Sequence, residues 1–435
     1  MKYRPSASFI ICLVSTLAVG GVAGWAWSKA QAVPEYKRVN LSFFEALSFQ
    51  EKKRRGVEPP TPEQLAVSRQ QVIDLKQKML AEFPDLAVKE KPVPDDQNGF
   101  RLIYGLADDD GQPKIPVTPE LRALLKDEAP WDPAAMRAEL EANGEFVSHI
   151  EHIAALPQRS SANMPAEFVN FVHARPVKLG SDILLAKARL AAEAKDEAEA
   201  LRLVKSSFNL ASHLDRIETP SLLAITIALI VDLQTQDTIM TKILPALGRD
   251  ADLPDWRAAI TSRPEYNADE FARLMRGEWN STLEFFILPI LCSPNYEDRP
   301  EDYEALVRAY TVKFDFLCKT LAGQKPRILV YLPPTPNPEK LSRGSWDLLE
   351  MFQIGAGKWG HGYARAAAVR ARNLAALDLL ILEKSGTALT ADTVSKVNTE
   401  PLSEGTFIYD PTTRTISAPA SIAEEVGVKP VKLPW

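Results

Sequence analysis

Cysteine is nearly absent. Three residues, Cys12, Cys292 and Cys318, exclude a disulfide framework and a Cys-rich zinc module. Glycine is scarce too, at 20 of 435 residues, whereas proline is plentiful at 33. Ordinary chains carry about 7% and 5% of the two. This balance fits poorly with a Gly-rich barrel or a doubly wound sheet and suits helices punctuated by proline. Neither sign of charge dominates. There are 51 basic against 57 acidic residues, a net charge of −6, which argues against a dedicated nucleic-acid binder. Familiar catalytic and metal signatures are missing as well: no G-x-S-x-G elbow, no H-E-x-x-H and no D-x-D-x-D-G loop. What the chain does have is apolar material, 46% hydrophobic and 8% aromatic, enough to bury a sizeable core. Its length allows one large domain or two to three of ~150 residues.

The strongest positive signal is N-terminal. Phe9 to Ser28 is 20 residues without a charge. At 1.5 Å per residue such a helix spans about 30 Å, the hydrocarbon thickness of a bilayer. Trp25 and Trp27 stand at its far end, where interfacial aromatics concentrate. Lys2 and Arg4 precede the run, and Lys29, Lys37 and Arg38 follow it. The reading is an uncleaved membrane anchor in contact with lipid. The alternative is a cleaved signal, since Ala30-Gln31-Ala32 is an A-x-A site; an h-region is usually shorter, 7–15 residues. Cys12 lies early in the run, which speaks against lipoprotein processing. A short N-terminal tail usually stays inside, placing the bulk of the chain outside the cytoplasm, in the periplasm of a bacterium.

The expected organisation is an anchor or signal segment at 1–32, a stalk at 33–60, a helical domain at 61–332, a C-terminal helical subdomain with a small hairpin at 333–418, and a tail at 419–435. In the stalk, Lys52-Lys53-Arg54-Arg55 reads as a solvated stretch of helix. Thr61-Pro62-Glu63 then supplies an N-cap, a proline at N1 and an acid in the first turn, a device repeated at Thr118-Pro119-Glu120 and, without the acid, at Asp132-Pro133. Val72, Leu75, Met79 and Phe83 form one apolar stripe. Gly99 to Leu106 reads as a short strand, followed by a turn at Asp108 to Gly111. Leu179 to Arg216 reads as a helical hairpin broken near Lys195-Asp196. Its spacing is similar to one tetratricopeptide unit, but no second copy is evident and a solenoid needs about three. Leu222 to Val231 is apolar all round. At about ten residues it reads as a core helix, too short to cross a membrane.

Farther on, Tyr303, Val307, Tyr310, Phe314, Leu317 and Leu321 form the cleanest amphipathic stripe. Arg327 to Leu332 reads as a strand running into a polyproline-like linker, Pro333 to Pro338. Trp346 to Ile354 reads as helix, and a long helix is expected from about Gly362 to Ser385, ended by Gly386. Thr406 to Tyr409 and Arg414 to Ser417 suggest a hairpin around Asp410-Pro411. The tail from Pro419 is expected to be poorly ordered. The fold class is therefore mainly α: an N-terminal transmembrane helix plus a multi-helix extracytoplasmic domain with small β elements. Over Arg365 to Ser417, the long helix, short helix and YDP-type hairpin resemble the C-terminal part of uncharacterised membrane-anchored helical proteins of planctomycetes and related bacteria. That resemblance implies no activity.

Candidate chemistry is thin. Gly355-Ala356-Gly357-Lys358-Trp359-Gly360 matches G-x-G-x-x-G, but the dinucleotide fingerprint needs a preceding strand, and a helix is expected there. A P-loop fails because Trp359 stands where Ser or Thr is required. Even so, four glycines (355, 357, 360, 362) fall within eight residues. The ligand-binding candidates are Gly355, Gly357, Lys358, Trp359, Gly360, His361 and Arg365, with Tyr363 as a wall, facing an anionic group at a helix N-terminus. The plain reading is a flexible helix–helix connection. Glu145, His149 and His152 share a helical face and are weak metal candidates; a solvated face is the commoner outcome. His173 and His213 are isolated. Asp108 to Gly111 and Asp250, Asp252 and Asp255 read as turn and N-cap carboxylates rather than calcium ligands. Cys292 and Cys318 could pair in an oxidising compartment or remain buried thiols. Asn280-Ser281-Thr282 is a sequon. No catalytic residue, metal or cofactor is assigned. The expected function is a membrane-anchored, non-catalytic scaffold or interaction protein of the bacterial envelope, with a possible protein partner and no nucleic acid. The alternative is an envelope hydrolase or anionic-ligand-binding protein.

Overall fold

Thr61 starts the first helix with a reciprocal cap: its hydroxyl accepts from the Gln64 N–H and its own N–H donates to Gln64 Oε1. The computed structural model describes residues 61–107, 113–126, 130–162, 164, 174–292, 300–336, 340–352, 356–394, 397 and 399–435. The expected anchor Phe9 to Ser28, the stalk, the Asp108 to Gly111 turn, His173 and Gly355 lie outside these residues.

The protein is mainly helical. Helix α1 (Pro62–Glu82) leads through α2 (Gly99–Gly105), α3 (Pro119–Leu125), α4 (Pro133–Ala142) and α5 (Gly144–Ala155) to the centre of the fold. There α6 (Ala174–Glu193), α7 (Glu197–Asp215) and α8 (Leu222–Thr238) pack in sequence, side by side. Lys195, at φ 64°, makes the tight turn of the expected hairpin. Then come α9 (Leu253–Thr261), α10 (Ala268–Thr282), α11 (Tyr303–Leu321), α12 (Arg343–Phe352), α13 (Ala356–Lys384) and α14 (Ala391–Val394). A small antiparallel sheet, β1 (Ile408–Asp410), β2 (Thr415–Ser417) and β3 (Val431–Lys432), with α15 (Ala420–Val426), finishes the chain. Helix α13 packs on α8 and α9. One apolar cluster runs from Leu75 to Leu433 and so continues across residue 333.

Two long helices share a device. Helix α8 continues through a π-turn (Ile239–Ile243) into Leu244–Leu247, and α10 through a π-turn (Leu283–Ile287) into Leu288–Cys292. Each π-turn ends two residues before a proline, Pro245 or Pro289. Proline lacks the N–H for the helical ladder and its ring crowds the carbonyl four residues back, so one wider turn lets the helix continue. The two motifs, Ile-Leu-Pro-Ala-Leu from Ile243 and Ile-Leu-Pro-Ile-Leu from Ile287, are 44 residues apart, and Thr238 and Thr282 match at the same offset. Lys195 Nζ donates to the Ala246 and Leu247 carbonyls at the end of the first, satisfying open groups at a helix C-terminus.

Leu222–Leu247 is thus long and apolar enough, by length and composition, to cross a membrane, which corrects the expectation that it is too short. It lies against α6, α7 and α13, with Asp232, Thr235 and Gln236 buried on its faces. Three further expectations are corrected. Gly99–Gly105 is a helix, because Asn98 caps the Phe100 and Arg101 N–H groups and Phe100 and Ile103 are buried at helical spacing. Arg327 to Leu332 is no strand: Pro326 opens a 3₁₀ turn, Pro326–Leu329. The tail is ordered by burial of Ile422, Val426, Val428, Val431 and Leu433, and β3 pairs with β2 through Ile416↔Val431.

Candidate functional site

The most concentrated polar chemistry lies inside the helical body. Arg263, between α9 and α10, donates from Nε to Asp232 Oδ1 at 3.0 Å and from Nη2 to Asp215 Oδ2 at 2.6 Å. Gln236 Nε2 donates to Asp232 Oδ2 at 3.2 Å, and Asn373 Nδ2 donates to Gln236 Oε1 at 3.2 Å. Arg372 donates from Nε and Nη2 to Asn373 Oδ1, and from Nη1 to the Lys429 carbonyl. One hydrogen-bonded chain therefore crosses α7, α8 and α13 and ends at Lys429, just before β3. Burial works against the Arg263 charge, but Asp215 and Asp232 outweigh it and hold the guanidinium protonated. Burial pulls Arg372 down to about 10. Arg263, Asn373 and Arg372 each donate across to another segment, and the Gln236–Asp232 and Arg372–Asn373 bonds hold the donors in place within α8 and α13, the mark of a structural tie.

A second buried group is Glu278 on α10, 5% exposed. Its carboxylate accepts the Leu222 N–H of α8 at 2.6 Å and the Thr282 hydroxyl at 2.6 Å. No cation pairs with it among the described residues. Burial pushes the carboxyl up to about 7, with the two hydrogen bonds pulling the other way. The Tyr310 hydroxyl of α11 is buried, has no hydrogen-bond partner among the described residues, and is kept protonated by burial first and by the Glu278 charge second. Next to Glu278, Gly277 lies so close to Pro220 that a Cβ would fall 2.3 Å from its ring.

An open cleft beside α6 is lined by Trp131, Asp182, Arg189, Gln234 and Lys242. Its space of about 50 Å³ is well below the ~300–1,000 Å³ of small-molecule sites. Arg189 stacks over Trp131 at 3.9 Å and pairs with Glu193, which also accepts the Trp131 indole N–H.

The residues singled out in the sequence fall in several places. Lys358 and Gly357 are exposed, Trp359, His361 and Arg365 half-buried, and Gly360 and Tyr363 buried. They occupy the first turns of α13, which begins at Ala356, so Gly357, Gly360 and Gly362 are helical and not part of a loop. Gly360 packs on the Pro326–Leu329 turn: a Cβ there would stand 2.6 Å from the Leu329 carbonyl oxygen. The Arg365 Nε is buried and has no hydrogen-bond partner among the described residues. Glu145 and His152 are exposed on α5 and His149 is half-buried. Among the described residues no three His, Cys, Asp or Glu side chains form a metal-holding group. His213 is fully buried against α5, with Nε2 2.9 Å from the Ile153 carbonyl and its ring beneath Gly99. Burial, aided by the Arg159 charge, pulls it down to about 3, so it is neutral. Cys292 and Cys318 are buried thiols that are not joined to each other, which corrects the pairing alternative. Asn280 is buried and donates to the Leu86 carbonyl at 2.8 Å.

Sequence reasoning missed Asp232 and Glu278. Signals for both exist: Asp232 is the lone acid ending the apolar run Leu222 to Val231, and Glu278 falls on the buried stripe of Phe271 and Met275. No protein-family model matches the chain, and no curated protein or solved structure is detectably similar to it.

Proposed function

We propose that this chain is a membrane-anchored, non-catalytic scaffold or interaction protein of the bacterial envelope. Phe9 to Ser28 holds it to lipid, and the helical body stands on the extracytoplasmic side. The observation that carries the reading is the Asp215–Arg263–Asp232–Gln236–Asn373–Arg372 chain. Its titratable groups lock four segments into one rigid platform, and a rigid surface is what a docking protein needs. The test is alkaline carbonate extraction of membranes, followed by native size separation of the detergent-solubilised protein. The expected result is full-length chain in the membrane fraction and in a discrete assembly larger than 48.2 kDa. Full-length protein in the soluble fraction, or a solubilised monomer throughout, overturns it. A soluble form beginning near Val33 supports cleavage after Ala32 instead.

A second reading, an anionic-ligand site at the start of α13, is favoured by the unpartnered Arg365 Nε and by the open space over Gly357 and Gly362. Titration with inorganic phosphate tests it. Binding abolished by Lys358→Ala with Arg365→Ala, at unchanged melting temperature, supports a site. No binding by the unaltered protein removes it.

A further inference from the structure

Tyr331 to Pro336 follows the Pro326–Leu329 turn, and its chemistry dictates its shape. Proline holds φ near about −65° at 333, 334 and 336. A residue before proline is pushed out of the α region, which applies to Leu332, Pro333 and Thr335. The stretch is accordingly free of helix, strand and turn across 332–336. Its burial repeats with the three-residue turn of polyproline II. Leu332 and Thr335, one turn apart, are both half-buried, and Leu332 packs on the core beside Gly360. Tyr331 and Pro334, on a second edge, are both exposed. On the third edge Pro333 is half-buried and Pro336 exposed. One edge of a polyproline helix is thus seated on the body, and another faces outward.

We propose that Tyr331 to Pro336 is a docking ridge, taken up by a partner protein whose groove is lined with aromatic side chains. This rests on the scaffold reading and names the class of partner. Prolines stack flat against aromatic rings, and a polyproline helix turns its carbonyls to solvent, where a groove donor can reach them. Among the described residues nothing donates to the carbonyls of 331–336. The six residues carry no charge, so the ridge offers nothing to phosphate, in lipid or nucleic acid.

The ridge is also set in advance. Tyr331 is 66% exposed, the most exposed large apolar side chain among the described residues, yet its ring is held at both ends. The Arg327 guanidinium lies 5.5 Å from the ring centroid, and the Tyr331 hydroxyl donates to Glu425 Oε1 of α15. Glu425 in turn accepts from Arg327 Nη1 and Nη2, so both charges are spent on each other. A simple spacer needs stiffness alone. Here the inner edge is anchored by Leu332 and the outer aromatic ring is fixed in place, which removes ordering cost from binding.

Native size separation of the detergent-solubilised full-length assembly tests this, with an oligoproline peptide as competitor and a glycine–serine peptide of equal length as control. Oligoproline is expected to reduce the assembled fraction by about tenfold or more, and the control peptide to leave it unchanged. The variant Pro334→Ala with Pro336→Ala alters two exposed positions and is expected to lose assembly to the same extent at unchanged melting temperature. The peptide arm uses wild-type protein and so does not depend on the variant folding. An assembly that resists both peptide and variant overturns the ridge and leaves the scaffold reading standing. Dissociation by oligoproline without loss in the variant places the ligand elsewhere in the chain and overturns it too. An assembly made only of copies of this chain overturns the separate partner. A solubilised monomer in the absence of peptide overturns both readings.

Discussion

Arg263 and Asp232 meet at 3.0 Å, Nε to Oδ1, with both side chains all but closed to solvent. The pair fixes the end of α9 to the middle of α8, and Asp215 holds the other edge of the same guanidinium. Removing one member leaves an uncompensated buried charge, which typically costs about 3–5 kcal/mol, whereas exchanging both members for apolar residues of similar volume is often neutral. Arg263→Met strands Asp232, and Asp215 beside it, without a cation and is therefore expected to lower the unfolding free energy by about that amount. Arg263→Met with Asp232→Leu should cost clearly less, although Asp215 then loses its partner. Urea denaturation of the two variants decides it. Equal losses would mean that the pair contributes packing and no electrostatic constraint.

Gly360 and its neighbours separate close packing from loop freedom. Alanine at Gly360 would meet the Leu329 carbonyl oxygen, and backbone cannot swing aside, so a loss of about 1–3 kcal/mol is expected. At Gly357 and Gly362 an added methyl would have nothing within 4 Å, and both residues are helical. Alanine at Gly362 should then be neutral or stabilising by up to about 1 kcal/mol. Thermal melts of G360A and G362A check the contrast. A destabilised G362A would place that residue outside the helix.

This contrast also shows how much of the fold was legible. Helix starts written in local chemistry were readable, as at Thr61-Pro62 and Asp132-Pro133, where cap and proline stand side by side. So was the hairpin turn at Lys195-Asp196. Residues 99–106 misled because their alternation suits a strand, and the deciding cap, Asn98, also depends on Ser160, distant in sequence. The glycine cluster misled because small residues serve loops and tight helix packing alike, and only the Leu329 carbonyl distinguishes the two. The tail was misread because its burial comes from long-range partners. Asp232 and Glu278 were hidden for the same reason: a charged residue on an apolar stripe signals a buried group only when its partner is known.

The burial of His213 gives the fold a pH dependence of its own. The folded state holds His213 neutral, with its midpoint near 3, and the unfolded chain titrates near 6.5. The unfolded state thus binds the extra proton, and the stabilising contribution, complete above pH 6.5, is lost as pH falls toward 3. Between pH 6.5 and 5, where most carboxylates are silent, the wild-type protein should lose stability relative to His213→Gln. Denaturation midpoints of both proteins at several pH values in that interval give the slope. Parallel curves would show that the His213 ring is accessible to protons in the folded state.

Arg372 carries the last prediction. Among the described residues its guanidinium is the link of the buried chain that reaches the C-terminal segment, through the Lys429 carbonyl, and β3 pairing and a few apolar side chains also hold that segment. Two paired residues make a short strand, and such a strand is marginal unless its flanks are fixed. Arg372→Met keeps the apolar stem and removes the donors, so the helical body should survive while the segment detaches. Trypsin reads this out cleanly. Lys429 is followed by Pro430, which blocks cleavage, leaving Lys432 as the reporter. In the wild-type protein Lys432 is paired with Thr415 and should resist. In R372M it should be cut at least tenfold faster, with far-ultraviolet circular dichroism unchanged, since cleavage of an opened segment follows its open population. Equal cleavage rates would show that Val431 and Leu433 alone hold the strand in place.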